Sequence, residues 1–263
     1  MLTFRHASRS DQGRRKYQED SEAVWPGQSQ LLPAAPAAPP EGVDVLAVLA
    51  DGMGGHAAGD VASARICRTF HRRFLGGAGS TPLRLATSLQ AANEAVQAAT
   101  AANPSLGGMG ATCVGIAVGQ AGVHWISVGD SPLWRFRQGR LDRLNDDHSL
   151  APMLDSLVAE GQMTPEEAAV DPRRHYLRSA VTGDELDLVD ASREPLPLAA
   201  GDIVLLASDG VLTLTDSEIA ELLNRHQGRA PGDIADALVH AVLQAGDPHQ
   251  DNTTVVVLKA AQA

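Results

Sequence analysis

The chain has 263 residues, of which 44% are hydrophobic, enough for one large domain or at most two. A formal net charge of −11 argues against a non-specific nucleic-acid surface. Its two cysteines, Cys67 and Cys113, fit no zinc or redox spacing, and no apolar run approaches the ~20 residues that span a bilayer. With no apolar signal region at the start, we expect a cytoplasmic protein that binds neither nucleic acid nor membrane.

A short basic run followed by two acidic residues lies near the start of the chain, at 14–20. Basic runs are usually solvated surface, but a guanidinium such as that of Arg15 also matches a phosphate through paired hydrogen bonds. Glu19 and Asp20 follow within five residues and could join an acidic cluster. The next segment, 26–42, is too rich in proline for a ladder strand, and we expect an extended surface loop there.

The apolar run Val45–Ala50 ends abruptly at Asp51, Gly52 and Met53. A continuous apolar run bounded by glycines is typical of a strand buried on both faces. The glycines let the backbone approach a ligand closely, beside the Asp51 carboxylate. Such a site suits a hard cation with oxygen ligands, although an Asp-Gly turn after a strand is also common without any metal.

The rest of the chain shows strand pairs and helix pairs, with several hairpins. Two hairpins are expected, one joining 112–118 to 123–128 and one at 134–141. Thr164 and Thr215 each precede a glutamate by three residues, as at helix starts. Strands and helices in this order favour an α+β fold with antiparallel sheets covered by helices. Apolar residues at helical spacing predict three further helices: Ala62, Ile66, Phe70, Phe74; Leu85, Leu89, Ala92, Val96; and Ile234, Leu238, Val242.

Three more aspartates stand at the ends of apolar runs. Asp130 follows 123–128, Asp209 follows Ile203–Ala207, and Asp251 precedes 253–258. If the last strand runs antiparallel to neighbours that carry Asp51 and Asp209, all these carboxylates meet at one rim. Without cations such a cluster is repulsive, and bound metal removes that penalty. Acidic residues for metal and an arginine for phosphate together predict metal-assisted phosphoryl hydrolysis.

These motifs, in this order, resemble the bacterial form of the metal-dependent PP2C-like (PPM) serine/threonine protein phosphatases. The resemblance implies one PP2C-like domain over 1–263, with four layers α-β-β-α around a central antiparallel β-sandwich. The motifs that carry it are Arg15 to Asp20, Asp51-Gly52-Met53-Gly54-Gly55-His56, Gly110-Ala111-Thr112, Gly129-Asp130-Ser131, Asp147-His148-Ser149, Ser208-Asp209-Gly210 and Asp251-Asn252-Thr253-Thr254.

The resemblance also implies roles for individual residues. Asp51, Asp209, Asp251 and the Gly52 carbonyl would hold two Mn²⁺ or Mg²⁺ ions, and Glu19 and Asp20 would act directly or through metal-bound waters. Asp130, with Asp209, matches a third metal site of bacterial members, and Arg15 would bind the substrate phosphate. The implied reaction is hydrolysis of phosphoserine or phosphothreonine in proteins by a dimetal-activated water, without a phosphoenzyme. The substrates would be phosphoproteins, with a serine/threonine kinase as the opposing enzyme.

Two departures from the family pattern bear on the site. Family members often have an arginine after Gly-Asp-Ser, but this chain has Pro132 at that position. The contacts of that arginine are therefore absent or come from another residue, for which Arg135 is the candidate. Met53 occupies the place of a histidine that is the proposed proton donor in eukaryotic relatives. His56 is near in sequence, yet nothing places it beside the leaving group, so the general acid stays open.

The segment 150–183 corresponds to a mobile flap beside the active site of the family, and we expect it to select the phosphoprotein. Two alternatives to a protein phosphatase remain at this point. One is a catalytically weak relative that binds phosphoproteins and signals by occupancy. The other is a phosphatase for small phosphorylated metabolites.

Overall fold

In the computed structural model the described residues are 1–27, 40–54 and 58–263. Most of the proline-rich segment predicted as a loop, and His56, lie outside them. Among the described residues, none of the helices combines the length and apolar character needed to cross a bilayer. The helices are α1 (Gly59–Gly76), α2 (Thr81–Ala102), α3 (Ala151–Ala159), α4 (Pro165–Val170), α5 (Asp216–His226) and α6 (Pro231–Ala245).

The strands form two five-stranded antiparallel sheets and one short pair. The first sheet has the order β1-β12-β11-β8-β9, the second has the order β10-β7-β6-β3-β2, and β4 pairs with β5. The strands are β1 (Leu2–Asp11), β2 (Ser21–Trp25), β3 (Val45–Ala50), β4 (Gly52–Met53), β5 (Gly110–Ala111), β6 (Cys113–Gly119), β7 (Gly122–Val128), β8 (Leu133–Arg137), β9 (Arg140–Arg143), β10 (Asp190–Ala191), β11 (Ile203–Ala207) and β12 (Thr253–Gln262).

Three apolar layers hold these elements together. The two sheets pack face to face through residues such as Leu49 of β3 and Val256 of β12. On the outside of the second sheet, α1 and α2 bury their apolar stripes, which include Phe70. On the outside of the first sheet, α5 and α6 do the same, with Leu238 among the buried residues. The predicted four-layer α-β-β-α arrangement with a central antiparallel β-sandwich is therefore confirmed.

The local signals in the sequence correspond to specific hydrogen bonds. Thr164 Oγ1 accepts from the Glu167 N–H at 3.2 Å, and Thr215 Oγ1 accepts from the Glu218 N–H at 3.3 Å, so both predicted helix starts are capping boxes. Both predicted hairpins form, as β6–β7 and β8–β9. The end of α1 is satisfied by Arg84 of α2, whose Nε donates to the Phe74 carbonyl at 3.0 Å.

The predicted pairing of the last strand is correct for Asp209 and wrong for Asp51. β12 lies between β1 and β11, and β11 leads into Asp209, whereas β3, which leads into Asp51, belongs to the facing sheet. An apolar run buried on both faces gives no sign of the sheet it joins, which is the physical reason for the error. The carboxylates therefore meet across the sandwich rather than along one sheet edge.

Candidate metal centre

A cavity of about 800 Å³ opens at one end of the sandwich. It is lined by every residue proposed as a ligand of metal or phosphate except Asp20, which is buried. The lining residues that come from these predictions are Arg15, Glu19, Asp51, Gly52, Asp130, Asp209 and Asp251. Residues from five separate stretches of chain are thus brought to one place.

Asp51 and Asp209 follow strands of different sheets and lie next to each other in this cavity. The Asp51 N–H donates to Thr112 Oγ1 at 2.9 Å, and the Thr112 N–H donates back to the Asp51 carbonyl at 2.9 Å. The Asp209 N–H, at the end of β11, points at Asp51 Oδ2 over 3.4 Å. Thr112 was part of the Gly110-Ala111-Thr112 motif in the sequence, and the structure shows that its side chain fixes the Asp51 backbone.

Gly52 lies where no side chain fits. A Cβ added there would come within 2.4 Å of the Glu19 carbonyl oxygen and equally close to that of Gly59. The backbone of residues 51 and 52 is therefore packed directly against the segment that carries Glu19. Gly52 lines the cavity, and because it has no side chain, its main chain is accessible there.

Asp20 is buried, and only half of its carboxylate is satisfied. Ser208 Oγ donates to its Oδ2 at 2.7 Å, while Oδ1 has no partner. Burial, together with the charges of Asp209 and Asp251, raises the pKa of the Asp20 carboxyl to about 7. A buried carboxylate oxygen without a partner costs stability unless a donor or a cation meets it.

Asn252 and Arg15 connect the segment 12–19 to the start of the last strand. Asn252 Oδ1 accepts from the Glu19 N–H at 2.7 Å, and its Nδ2 donates to the Gln12 and Tyr17 carbonyls. Arg15 forms an ion pair with the Asp251 carboxylate. Asn252 was not predicted to have a role of its own, and its position next to Asp251 was the only sign of one.

Asp130 sits in the turn between β7 and β8, with only 7% of its surface exposed. Burial and the neighbouring carboxylates of Asp209 and Asp147 raise its pKa to about 7. The idea that Arg135 replaces the arginine missing at Pro132 is wrong, because Arg135 pairs with Asp142 at 2.8 Å. Arg143 is the arginine that reaches this turn, and it donates to the Asp130 carbonyl at 2.8 Å.

The carboxylates destabilise one another electrostatically. Burial raises the pKa of Asp51 well above its usual range, and the charges of Asp20, Asp209, Asp130 and Asp251 raise it further. Burial and the charge of Asp251 likewise raise the pKa of Asp209, whereas nearby His175 and Arg15 lower it. Within residues 1–27, 40–54 and 58–263, no three acidic, histidine or cysteine side chains already surround a single point. The carboxylates are neighbours rather than a closed cage, and one of them, Asp251, is paired with Arg15.

This set of residues fits a divalent cation. The candidate ligands on the cavity wall are carboxylates, and carboxylate oxygens are ligands that Mg²⁺ and Mn²⁺ prefer, whereas zinc favours nitrogen and sulfur. The Oδ1 atom of Asp20 has no hydrogen-bond partner, and the pKa of Asp51 is raised. The protein alone therefore does not compensate a negative charge on these two carboxylates. A cation between Asp51 and Asp209 would supply that balance.

The last part of the segment 150–183 lines the cavity. The segment contains α3 and α4, and its last part contributes His175, Tyr176 and Arg178 to the cavity wall. Tyr176 is 62% exposed at the rim. These three side chains were not singled out from the sequence, because nothing in the local pattern places them beside site residues that are distant in the chain.

Comparison with known proteins identifies the family. A family model for protein phosphatase 2C matches residues 36–231. This chain belongs to the protein phosphatase 2C family. It is 35% identical over 259 residues to the serine/threonine protein phosphatase PstP of Mycobacterium tuberculosis, covering 97% of this chain and 45% of PstP. The chain thus spans about half the length of that relative.

Other members of the family match over most of their length. The serine/threonine phosphatase stp of Listeria monocytogenes is 29% identical over 258 residues, which covers 95% of this chain and 94% of stp. The solved catalytic domain of PstP in complex with two manganese ions superposes with a TM-score of 0.75 at 33% identity, covering 100% of both chains. The family resemblance expected from the sequence is therefore confirmed.

A test of the electrostatics uses Asp20→Asn in the metal-free protein. Because the folded-state pKa of about 7 lies above the unfolded value of about 3.9, ionisation of Asp20 costs stability as the pH rises from about 4 to 7. We expect the wild type to lose roughly 2 kcal/mol more unfolding free energy than Asp20→Asn between pH 5.5 and 8. Urea denaturation in chelator measures this. Asp236→Asn, at an exposed aspartate, is the control, and equal losses in wild type and Asp20→Asn would contradict the account.

Proposed function

We propose that this protein hydrolyses phosphoserine and phosphothreonine in phosphoproteins, in a reaction that depends on Mn²⁺ or Mg²⁺. The observation that carries the proposal is the convergence of Asp51, Asp209 and Asp251 from both sheets on one cavity that also holds Arg15. Membership of the protein phosphatase 2C family and the two manganese ions of the PstP catalytic domain support it.

We assign the metal ligands by donor type and position. Asp51, Asp209, Asp251 and the Gly52 carbonyl would hold two ions, with Glu19 and Asp20 contributing directly or through water. Asp130 together with Asp209 would hold a third ion. When bound, the ions would supply a nucleophilic water and offset the charge of the phosphate. The protein's own contribution is to fix these carboxylates on strand ends with buried backbone contacts, as for Asp51 and Thr112.

Arg15 is the proposed phosphate ligand. Its guanidinium is about half exposed on the cavity wall and pairs with Asp251. A guanidinium holds a phosphate through two parallel hydrogen bonds, which is a stronger arrangement than a single contact with a carboxylate. We infer that the phosphate dianion draws Arg15 away from Asp251, so that Asp251 is free to act as a ligand.

A cysteine nucleophile does not fit this chain. Cys67 and Cys113 are both buried and do not line the cavity. Burial raises the pKa of the Cys113 thiol to about 12, so it is not a thiolate at neutral pH. Hydrolysis by water, without a phosphoenzyme, is consistent with this.

The proposed substrate is a protein rather than a metabolite. The cavity continues past the metal centre to His175, Tyr176 and Arg178 of the flap segment, which gives a phosphorylated polypeptide more surface to contact than a small phosphate ester needs. We infer that this segment selects the phosphoprotein. The opposing serine/threonine kinase is part of the same proposal.

The main test is metal-dependent turnover by the wild type and by Asp209→Asn. We expect Mn²⁺-dependent release of phosphate from a phosphothreonine peptide, abolished by chelator. Asp209→Asn should lower kcat at least ~100-fold, because it removes a ligand shared by the proposed ions and outer-shell changes alone cost 10- to 100-fold. Asp236→Asn is the control, since Asp236 is an exposed aspartate that does not line the cavity.

The same assay separates the alternatives. Full activity in excess chelator would rule out the metal mechanism. Tight phosphopeptide binding without turnover in Mn²⁺ would favour a phosphoprotein-binding regulator. Faster turnover of sugar phosphates than of phosphopeptides would favour a metabolite phosphatase.

A second prediction concerns Arg15→Ala. Loss of a charge-assisted contact with the phosphate, worth about 1.5–3 kcal/mol, should raise KM for the phosphopeptide at least tenfold. Arg14→Ala is the control, because Arg14 is the adjacent exposed arginine and does not line the cavity. Steady-state kinetics with both variants measures the difference. Equal KM values for Arg15→Ala and wild type would remove Arg15 from the phosphate site.

A further inference from the structure

The turn that carries Asp130 is fixed on both sides of this residue. The Gly129 N–H donates to His148 Nδ1 at 3.2 Å, and the His148 N–H donates to the Gly129 carbonyl at 3.1 Å. On the other side, the hydroxyl groups of Ser131 and Thr112 are hydrogen-bonded at 2.7 Å. These contacts leave the orientation of the Asp130 peptide itself to be set by a further group.

That group is Arg143, at the end of β9. Its Nη2 donates to the Asp130 carbonyl at 2.8 Å, and its Nη1 lies 3.4 Å from Asp147 Oδ2. Asp147 is in turn fixed, because its Oδ1 accepts from the Ser149 N–H at 2.8 Å. The guanidinium therefore joins the Asp130 turn to the start of the flap segment.

Arg143 acts from behind the site rather than inside it. It does not line the cavity, whereas Asp130 does. Its side chain is 28% exposed, and its Nε is buried without a protein partner, so the guanidinium is held by its two outer nitrogens. Pro132 has no N–H to offer the turn, and Arg135 and Arg140 are both engaged by Asp142.

We propose that Arg143 is a positioning residue, which holds the Asp130 backbone so that its carboxylate faces the cavity and binds a divalent ion. This inference rests on the proposed function, because it concerns the additional ion assigned to Asp130. A planar guanidinium can contact the carbonyl and Asp147 at once, whereas an ammonium group at the same place cannot reproduce this fork.

Two effects of removing Arg143 have opposite signs, and this makes the proposal testable. Arg143 is a positive charge near Asp130, so its loss by charge alone would strengthen cation binding. If Arg143 instead aims the carboxylate, its loss weakens cation binding. Arg143→Lys separates the two effects further, because it keeps the charge and loses the fork.

The experiment is calorimetric titration of the metal-free protein with Mn²⁺. In Arg143→Met the weakest binding step should lose about 10- to 100-fold in affinity, the range found for residues that orient metal ligands. Asp130→Asn should show a loss of similar size, and the double variant should be no worse than Asp130→Asn alone. Arg143→Lys keeps the positive charge and loses the fork, so it should bind Mn²⁺ at least as weakly as Arg143→Met. Arg140→Met, on the same strand and paired with Asp142, should bind Mn²⁺ as the wild type does.

Several outcomes would overturn the proposal. Unchanged or tighter Mn²⁺ binding by Arg143→Met shows that charge, not position, dominates, and additive losses in the double variant show that Arg143 does not act through Asp130. If Arg143→Met does not fold, as judged by the absence of a cooperative thermal transition, Arg143→Lys replaces it in the test. Mn²⁺ binding by Arg143→Lys that equals that of the wild type would then overturn the proposal. A wild-type isotherm for Asp130→Asn also overturns it. In each of these cases loss of turnover in Asp209→Asn would still support the proposed phosphatase, so the two failures are distinguishable.

Discussion

The repulsion among buried carboxylates is the constraint on which the rest of the site depends. Asp20, Asp51, Asp130 and Asp209 are packed closely enough that burial and mutual charge raise the pKa of each one. A fold tolerates such a cluster only when something else balances the charge. Here Arg15 balances the charge of Asp251. The oxygen-rich cavity is suited to cations that would balance the charge of the other carboxylates.

Uncharged polar residues hold this repulsive arrangement in place. Thr112 fixes the Asp51 backbone, Ser208 donates to Asp20, and Asn252 ties the segment that carries Glu19 to the start of β12. Each of these side chains forms hydrogen bonds whose partners lie far away in sequence. The acidic residues supply the chemistry, while these neighbours keep their geometry fixed against their mutual charge.

The sequence predicted Asp51, Asp130, Asp209 and Asp251 because they flank apolar runs, and it predicted the helices from apolar stripes and threonine caps such as Thr215. It failed where the answer depends on packing between distant segments. The sheet to which β3 belongs, the partner of Arg135, and the approach of Arg143 to Asp130 are set by tertiary contacts. β1 was also missed, because its half-exposed pattern lacks a continuous apolar run. The metal ligands, the single domain over 1–263 and the flap's role stay predictions.

A crystal structure of the protein soaked with Mn²⁺ tests the central claim most directly. The account predicts two ions roughly 3.5–4 Å apart, bound by the carboxylates of Asp51, Asp209 and Asp251, with Arg15 turned away from Asp251. Ions bound elsewhere, or Asp51 and Asp209 left without an ion between them at saturating Mn²⁺, would contradict it.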